Sequence, residues 1–148
     1  MKPLSKQLLA FMLCLVTSSG FAQNAKEIPL FANLPSVIHC SASEFEAVFN
    51  AKAGSFAKIT IDNNSSFGGK IIYNEVKYSN LQTVAIQFPH FNNAVFSLSK
   101  QINENKSVTY VGRILKIGSP DGYQLNKDEK GNYTLNKIVT TDLVQVCL

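Results

Sequence analysis

Histidine and cysteine are the side chains of this sequence best suited to bind a metal ion or attack a substrate, and both are scarce. The chain has two histidines, His39 and His90, and three cysteines. Cys14 lies in an N-terminal apolar run, which leaves Cys40 and Cys147 for the folded region. A protein metal site needs three or four ligands at workable spacing. We therefore expect no metal site and no bound cofactor.

Motifs of common enzyme classes are also missing from the sequence. It contains no Gly-x-Ser-x-Gly nucleophile elbow. The segment SFGGK (66–70) lacks the spacing of a phosphate-binding loop. Ten acidic residues are scattered along the chain, and some of them could converge with His90 in the fold. A small secreted hydrolase with a carboxylate/His90 site is therefore an alternative to a protein without catalysis.

The segment from Phe88 to Asn92 is the best candidate for a contact surface. It places two aromatic residues in a loop that a proline makes rigid, a composition suited to recognition. The candidate binding residues are Phe88, His90, Phe91 and Asn92. In the alternative interpretation, Phe88 ends a strand facing inward and Phe91 closes the end of a barrel, so that both rings belong to the core.

The first 22 residues have the pattern of an export signal. Lys2 and Lys6 form a basic start, the run 8–16 (LLAFMLCLV) is continuously apolar, and small residues lead to Ala22. Nine apolar residues are fewer than the roughly 20 that a membrane-spanning helix needs. We predict a signal peptide cleaved near Ala22 and a secreted or periplasmic protein that contacts the membrane only during export.

The charge balance argues against nucleic acid as a partner. The formal charge is +4, but loss of Lys2 and Lys6 with the signal peptide leaves 12 basic and 10 acidic residues, a charge of +2. No run of lysine and arginine remains that could follow a phosphate backbone. We expect the partner to be another secreted or envelope protein.

Cys40 and Cys147 would be an isolated cysteine pair in the exported protein. Such pairs usually form disulfides in oxidising compartments, so we predict a Cys40–Cys147 disulfide. Closing a loop of this length stabilises a fold by up to ~4–5 kcal/mol in the chain-entropy model. Two separately buried thiols are the alternative.

One segment of the exported chain has the pattern of a helix. Ser41 is placed to cap it, and Glu44, three residues later, is placed to complete a capping box. Phe45, Val48 and Phe49 follow at i, i+3 and i+4, which forms one apolar stripe. This stripe predicts that the helix packs against a core.

After the helix, apolar residues alternate with a period of two, which indicates β-strands. Strands are predicted over 56–62, 70–78, 84–88, 94–98 and 108–117, then over the similar segments 122–127 and 132–137, and over 143–148. The similar segments, GYQLNK and NYTLNK, predict a hairpin with its tyrosines and leucines facing inward. In 108–117, Val111, Leu115 and Ile117 are predicted to share a face, with Arg113 and Lys116 reaching water.

These elements predict an α+β, β-rich fold in which one N-terminal helix packs on an antiparallel meander or small barrel of about 7–8 short strands. The predicted organisation is a signal peptide over 1–22, an extended lead-in over 23–36 and a single globular domain over 37–148. We expect an exported, non-enzymatic binding module of the cell envelope or extracellular space. It would contact a protein, a peptidase being one candidate, or a ligand through its loops. A structural envelope protein without a discrete site is a second alternative.

Overall fold

The structure, a computed structural model, describes residues 28–140. Within that range one helix, α1, spans Ala42–Asn50. The strands are β1 Val37–Cys40, β2 Phe56–Thr60, β3 Ser66–Tyr78, β4 Leu81–Phe88, β5 Ala94–Ile102, β6 Val108–Leu115, β7 Asp121–Lys127 and β8 Tyr133–Val139. The predicted signal peptide and the predicted strand over 143–148 lie outside the described residues. No helix in 28–140 is long and apolar enough to cross a membrane.

The strands form one antiparallel sheet that curls into a half-barrel. Neighbouring strands follow chain order from β2 to β8, and β1 pairs with the other side of β8. Within residues 28–140 the prediction of a β-rich fold with one helix is confirmed, and β2 to β8 form a curled meander. The predicted N-terminal position of the helix is not confirmed, because the short strand β1 precedes it. A strand of four residues is at the lower limit of the length over which alternation indicates a strand.

Helix α1 begins at the predicted cap and turns its apolar stripe towards the sheet. The Ser41 hydroxyl oxygen accepts a hydrogen bond from the Ser43 backbone N–H at 3.3 Å. Phe45, Val48 and Phe49 are buried in the core, as predicted. The stripe fills the inner face of the half-barrel and joins the helix to the sheet.

Glu44 makes a different contact from the predicted capping box. Its Oε1 accepts a hydrogen bond from the backbone N–H of Thr60 at 3.2 Å and another from the Thr60 hydroxyl. Thr60 ends β2, which is an edge strand. The carboxylate therefore ties α1 to the edge of the sheet and satisfies a backbone donor there.

Two side-chain amides hold the other end of the helix. Asn74 Nδ2 donates hydrogen bonds to the carbonyl oxygens of Phe49 at 3.0 Å and Ala51 at 2.6 Å. Gln82 Nε2 donates to the same Phe49 oxygen at 3.1 Å. These bonds satisfy carbonyl groups that the last turn of a helix leaves unpaired.

The inner face of the sheet carries the core, and the predicted alternation is confirmed in most strands. The inward residues of β2, β4, β5 and the β7–β8 hairpin are buried: Ala57, Ile59, Val84, Ile86, Phe88, Ala94, Phe96, Leu98, Tyr123, Leu125, Tyr133 and Leu135. In β6 the buried side chains are Tyr110 and Ile114, whereas Val111 is exposed. Both faces of β6 therefore carry apolar side chains.

Residues 28–36, here called the N-terminal strap, pack against the core of the half-barrel. Phe31 is fully buried. Its ring centroid lies 6.3 Å from that of Phe67, 5.8 Å from that of Phe91 and 5.4 Å from that of Tyr123. Full burial of such a side chain stabilises a fold by ~1.5–3 kcal/mol. The strap thus contributes to the core.

Two charged side chains of the sheet bind the backbone of the strap. The buried Asp121 carboxylate accepts hydrogen bonds from the N–H groups of Leu30 at 2.8 Å and Phe31 at 2.9 Å. Lys137 Nζ donates to the carbonyl oxygens of Phe31 at 2.7 Å and Leu34 at 2.8 Å. The sheet therefore binds both backbone N–H groups and backbone carbonyl groups of the strap. These hydrogen bonds compensate for the burial of the polar groups.

Candidate functional site

The predicted contact loop forms a 3-10 turn over Pro89–Phe91, and its aromatic side chains face the interior. Phe88 is fully buried, and its ring stacks on that of Phe67 at 5.2 Å. Phe91 is partly buried, with its ring centroid 4.9 Å from that of Phe67. His90 and Asn92 are exposed. Of the four predicted binding residues, these two are the most accessible, and the two rings anchor the turn.

The chain leaves this turn through two asparagines in the left-handed region. The φ angle is 54° at Asn92 and 60° at Asn93, values that asparagine adopts more readily than most residues. The Asn93 N–H donates to the Phe88 carbonyl oxygen at 3.1 Å. This bond closes the turn and leaves Asn93 in the lining of a groove on the outer face of the sheet.

This outer groove lies across β5 and β6 and is an open depression of about 490 Å³. Its apolar lining residues are Val95, Val111, Leu115 and Ile117. Val95 lies opposite Leu115 in the β5–β6 register. Ile117 is 98% exposed and Val111 is 51% exposed. An exposed apolar patch with polar residues around it is typical of interaction surfaces.

Two cations, Arg113 and Lys116, also line the outer groove. None of the described lining residues is acidic. The ion pairs seen within residues 28–140 are formed elsewhere, by Lys77 with Glu75 and by Lys100 with Glu46. The outer groove therefore combines an apolar surface with positive charge that no carboxylate neutralises in the described part of the chain.

The outer groove was not predicted from the sequence. Val111, Leu115 and Ile117 line one groove, in keeping with their predicted shared face, but the alternation did not identify that face as the outer one. A signal was available in Gly112, because a glycine in the interior of a strand often marks a close approach of other atoms. A Cβ at Gly112 would lie 2.7 Å from the Phe96 ring on the inner side.

The remaining candidates for catalysis or metal binding do not converge in the described structure. His39 is exposed on β1, opposite Thr134 of β8. His90 is exposed in the turn after β4. Within 28–140, no three residues among His, Cys, Asp and Glu come together in a way that could hold a metal ion.

Glu46 of α1 forms a polar network with the inner face of the sheet. It accepts hydrogen bonds from Lys100 Nζ at 2.7 Å and from the Tyr110 hydroxyl. The bond from Lys100, followed by that from Tyr110, lowers the pKa of Glu46. Burial, followed by the bond to Glu46, raises the pKa of Tyr110. Both pKa shifts are explained by contacts that attach α1 to the sheet, so this network has a structural role.

Cys40 is the only cysteine within residues 28–140, and no disulfide is seen there. Its predicted partner, Cys147, lies outside the described residues, so the disulfide stays a prediction. Burial, followed by the nearby Glu44 carboxylate, raises the pKa of the Cys40 thiol to about 12. A thiol with such a pKa is a poor nucleophile, because the thiolate is the reactive form.

Comparison of the chain with protein-family models, curated proteins and solved structures finds no match.

Proposed function

We propose that the protein is an exported, non-enzymatic binding module that contacts another secreted or envelope protein. The observation that carries this proposal is the outer groove, where exposed apolar side chains lie beside cations without carboxylate partners. These side chains are on the face of the sheet that does not fill the core. Arginine is enriched at protein interfaces, which supports a protein partner.

The predicted contact loop extends the same surface. Asn93 lines the outer groove, and His90 and Asn92 are exposed in the turn that precedes it. In this proposal Phe88 and Phe91 act by holding the turn in place rather than by touching the partner. The proposed contact surface consists of the outer groove together with the exposed side chains of His90 and Asn92.

Export is supported by the N-terminal sequence pattern. Cleavage after Ala22 would make Gln23 the first residue of the mature protein. N-terminal sequencing of protein purified from the periplasm or the medium tests this, and we expect Gln23. An intact Met1 on cytosolic protein would contradict export.

The Cys40–Cys147 disulfide is part of the same proposal, because an exported protein meets an oxidising compartment. A thiol count on the mature protein under denaturing, non-reducing conditions tests it. A linked chain has no reactive thiol until a reductant is added. Two reactive thiols would rule out the disulfide and leave the contact surface unaffected.

A pull-down with matched isoleucine variants tests the contact surface. The mature protein, Ile117→Ser and Ile28→Ser serve as baits for envelope and culture fractions. Ile28 is 86% exposed in the strap, so both variants lose an exposed isoleucine, but only Ile117 lines the groove. We expect Ile117→Ser to lose the partner and Ile28→Ser to retain it. A partner retained by both variants would contradict the outer groove as the contact surface.

Phe91→Ala is a poorer test of binding. The Phe91 ring packs against Phe31 and Phe67 in the core, so its removal affects stability as well as the loop. Loss of a partner by that variant would not distinguish a direct contact from a disturbed turn.

A further inference from the structure

We infer that the outer groove binds an extended protein segment in which an aspartate or glutamate lies two residues from an aliphatic residue on either side. The Arg113 guanidinium would bind the carboxylate. This inference rests on the proposed function and names the chemistry of the partner. Three features of the groove lead to it: its charge, the orientation of Arg113 and the order of side chains along β6.

The charge of the outer groove favours an anionic group on the partner. Arg113 and Lys116 contribute two positive charges, and no acidic residue is among the described lining residues. Neither cation takes part in the ion pairs seen within 28–140. A carboxylate placed there is attracted by both cations, whereas a basic segment is repelled.

Arg113, the only arginine in the sequence, is oriented by hydrogen bonds within the sheet. Its Nε donates to Gln124 Oε1, and Gln124 Nε2 donates to the carbonyl oxygens of Gly112 and Leu125, each at 3.3 Å. This arrangement uses one donor of the guanidinium and leaves the terminal amines for a ligand. A carboxylate can accept two parallel hydrogen bonds from such a fork, and less rotamer freedom is lost because the fork is already oriented.

The order of side chains along β6 matches an extended segment. In the β5–β6 register, Leu115 lies opposite Val95, Arg113 opposite Ser97 and Val111 opposite Ser99. Arg113 therefore lies between two aliphatic side chains on the outer face, at strand steps of ~6.6 Å for every second residue. An extended partner running along β6 presents its own alternate side chains at the same spacing.

The open shape of the groove favours a protein segment over a small molecule. Small-molecule sites enclose most of the surface of their ligand. The outer groove is an open depression in a sheet face, with the Ser97 and Ser99 hydroxyls between its apolar residues. The Ser99 hydroxyl already pairs with the Thr83 hydroxyl at 3.3 Å, whereas the Ser97 hydroxyl can bond to a peptide backbone. An acyl chain in the groove would offer the Ser97 hydroxyl no hydrogen-bond partner.

The experiment uses two peptides blocked at both ends, Ser-Leu-Ser-Asp-Ser-Leu-Ser and its asparagine counterpart. Each is titrated into the isotope-labelled mature protein, and backbone NMR shifts report both the site and the affinity. We expect the aspartate peptide to bind about tenfold more tightly than the asparagine peptide, with shifts centred on β5 and β6.

Variants of Arg113 identify the group responsible for the preference. Arg113→Gln should bind both peptides equally, and Arg113→Lys should retain only part of the preference, because it keeps the charge and loses the fork. Lys70→Gln removes an exposed positive charge from β3, outside the groove, and should behave as the unmodified protein. Equal affinities of the unmodified protein for the two peptides would overturn the inference.

The failure of this inference can be distinguished from the failure of the proposed function. If Ile117→Ser loses the pull-down partner but the unmodified protein does not discriminate between the peptides, the groove remains the contact surface and the acidic motif is wrong. If Ile117→Ser retains every partner, the outer groove is not the contact surface, and the part of the proposed function that assigns binding to the groove fails together with this inference.

Three further measurements, made with the same protein and its variants, test other occupants of the outer groove. Binding to phosphatidylglycerol vesicles that is lost in Arg113→Gln, without peptide binding, would assign the groove to a membrane surface. Self-association that is lost in Val111→Ser would assign it to a second copy. Tighter peptide binding by Asp142→Asn would assign it to the chain's own segment 141–148. Each of these results would overturn the inference.

Discussion

Strands β5 and β6 have two faces of opposite character. On the inner face, Phe96, Leu98 and Ile114 are fully buried, whereas on the outer face Val111 and Arg113 are exposed. Successive residues of a strand point to opposite sides, so one segment can stabilise the fold with one set of residues and bind a partner with the other. Stability should therefore depend on the inner face and binding on the outer one, which makes the two properties separable by mutation.

The largest expected effect is the loss of an inner-face ring. Phe96 is fully buried, and its ring meets that of Phe45 in α1 with 6.4 Å between centroids. Phe96→Ala should lower the free energy of unfolding by about 3–5 kcal/mol, because the remaining cavity cannot fully collapse. Val95→Ala, on the outer face, should cost less than about 1 kcal/mol. Urea denaturation measures both values, and equal losses would contradict the separation of the faces.

A smaller effect is expected from adding one methyl group to the inner face at Gly112. The new Cβ would lie 2.7 Å from Phe96 Cε2 and 2.8 Å from the Ser97 carbonyl oxygen. Both distances are shorter than those at which a Cβ normally lies from another heavy atom. Gly112→Ala should therefore lower the free energy of unfolding by about 1–3 kcal/mol. Ser97→Ala, on the outer face of β5, is the control. A Gly112→Ala protein as stable as the unmodified one would show that β6 can move away from Phe96.

The inner faces could be predicted wherever a strand has one apolar and one polar side. In β2, Ala57 and Ile59 alternate with Lys58 and Thr60, and burial follows that pattern. In β6, tyrosine and isoleucine on one side compete with valine and leucine on the other, so periodicity cannot choose between the faces. Packing against β5 and α1 decides which face of β6 is buried. Helix α1 is distant from β6 in the sequence, and β5 is separated from it by a turn.

The contacts of the strap could not be predicted for a related reason. Asp121 binds the N–H groups of Leu30 and Phe31, which are about ninety residues away along the chain. No local pattern around Asp121 indicates such a contact, because a serine–proline–aspartate–glycine segment is equally suited to an ordinary turn. The outer groove depends in the same way on the β5–β6 register, which alternation alone did not provide.

Where α1 contacts the inner face, Glu46 is expected to make a pH-dependent contribution to the free energy of unfolding of less than about 1 kcal/mol. Because hydrogen bonds lower the pKa of Glu46, its contribution to stability is present above its ordinary pKa of 4.5 and is lost as the pH falls through the lower folded-state value. The side chain is 38% exposed, so solvent screening keeps the contribution small. The stability difference between the unmodified protein and Glu46→Gln should be largest near neutral pH and decrease below about pH 4.5.

Urea denaturation at a series of pH values measures this difference. Glu129→Gln is the control, because Glu129 is exposed between β7 and β8. A difference for Glu46→Gln that does not change with pH would show that the carboxylate contributes through packing rather than through its charge.

The smallest expected change in stability is that of Val111→Ser, on the outer face. The valine side chain is already 51% exposed, so its replacement removes little buried apolar area, and we expect a change within about 0.5 kcal/mol in the free energy of unfolding. Val84→Ser, at a fully buried valine of β4, is the matched control and should be strongly destabilised, because it buries a hydroxyl group. Urea denaturation compares the two variants. If Val111→Ser is as unstable as Val84→Ser, the outer face contributes to the fold itself, and loss of partner binding by groove variants would no longer identify a contact surface.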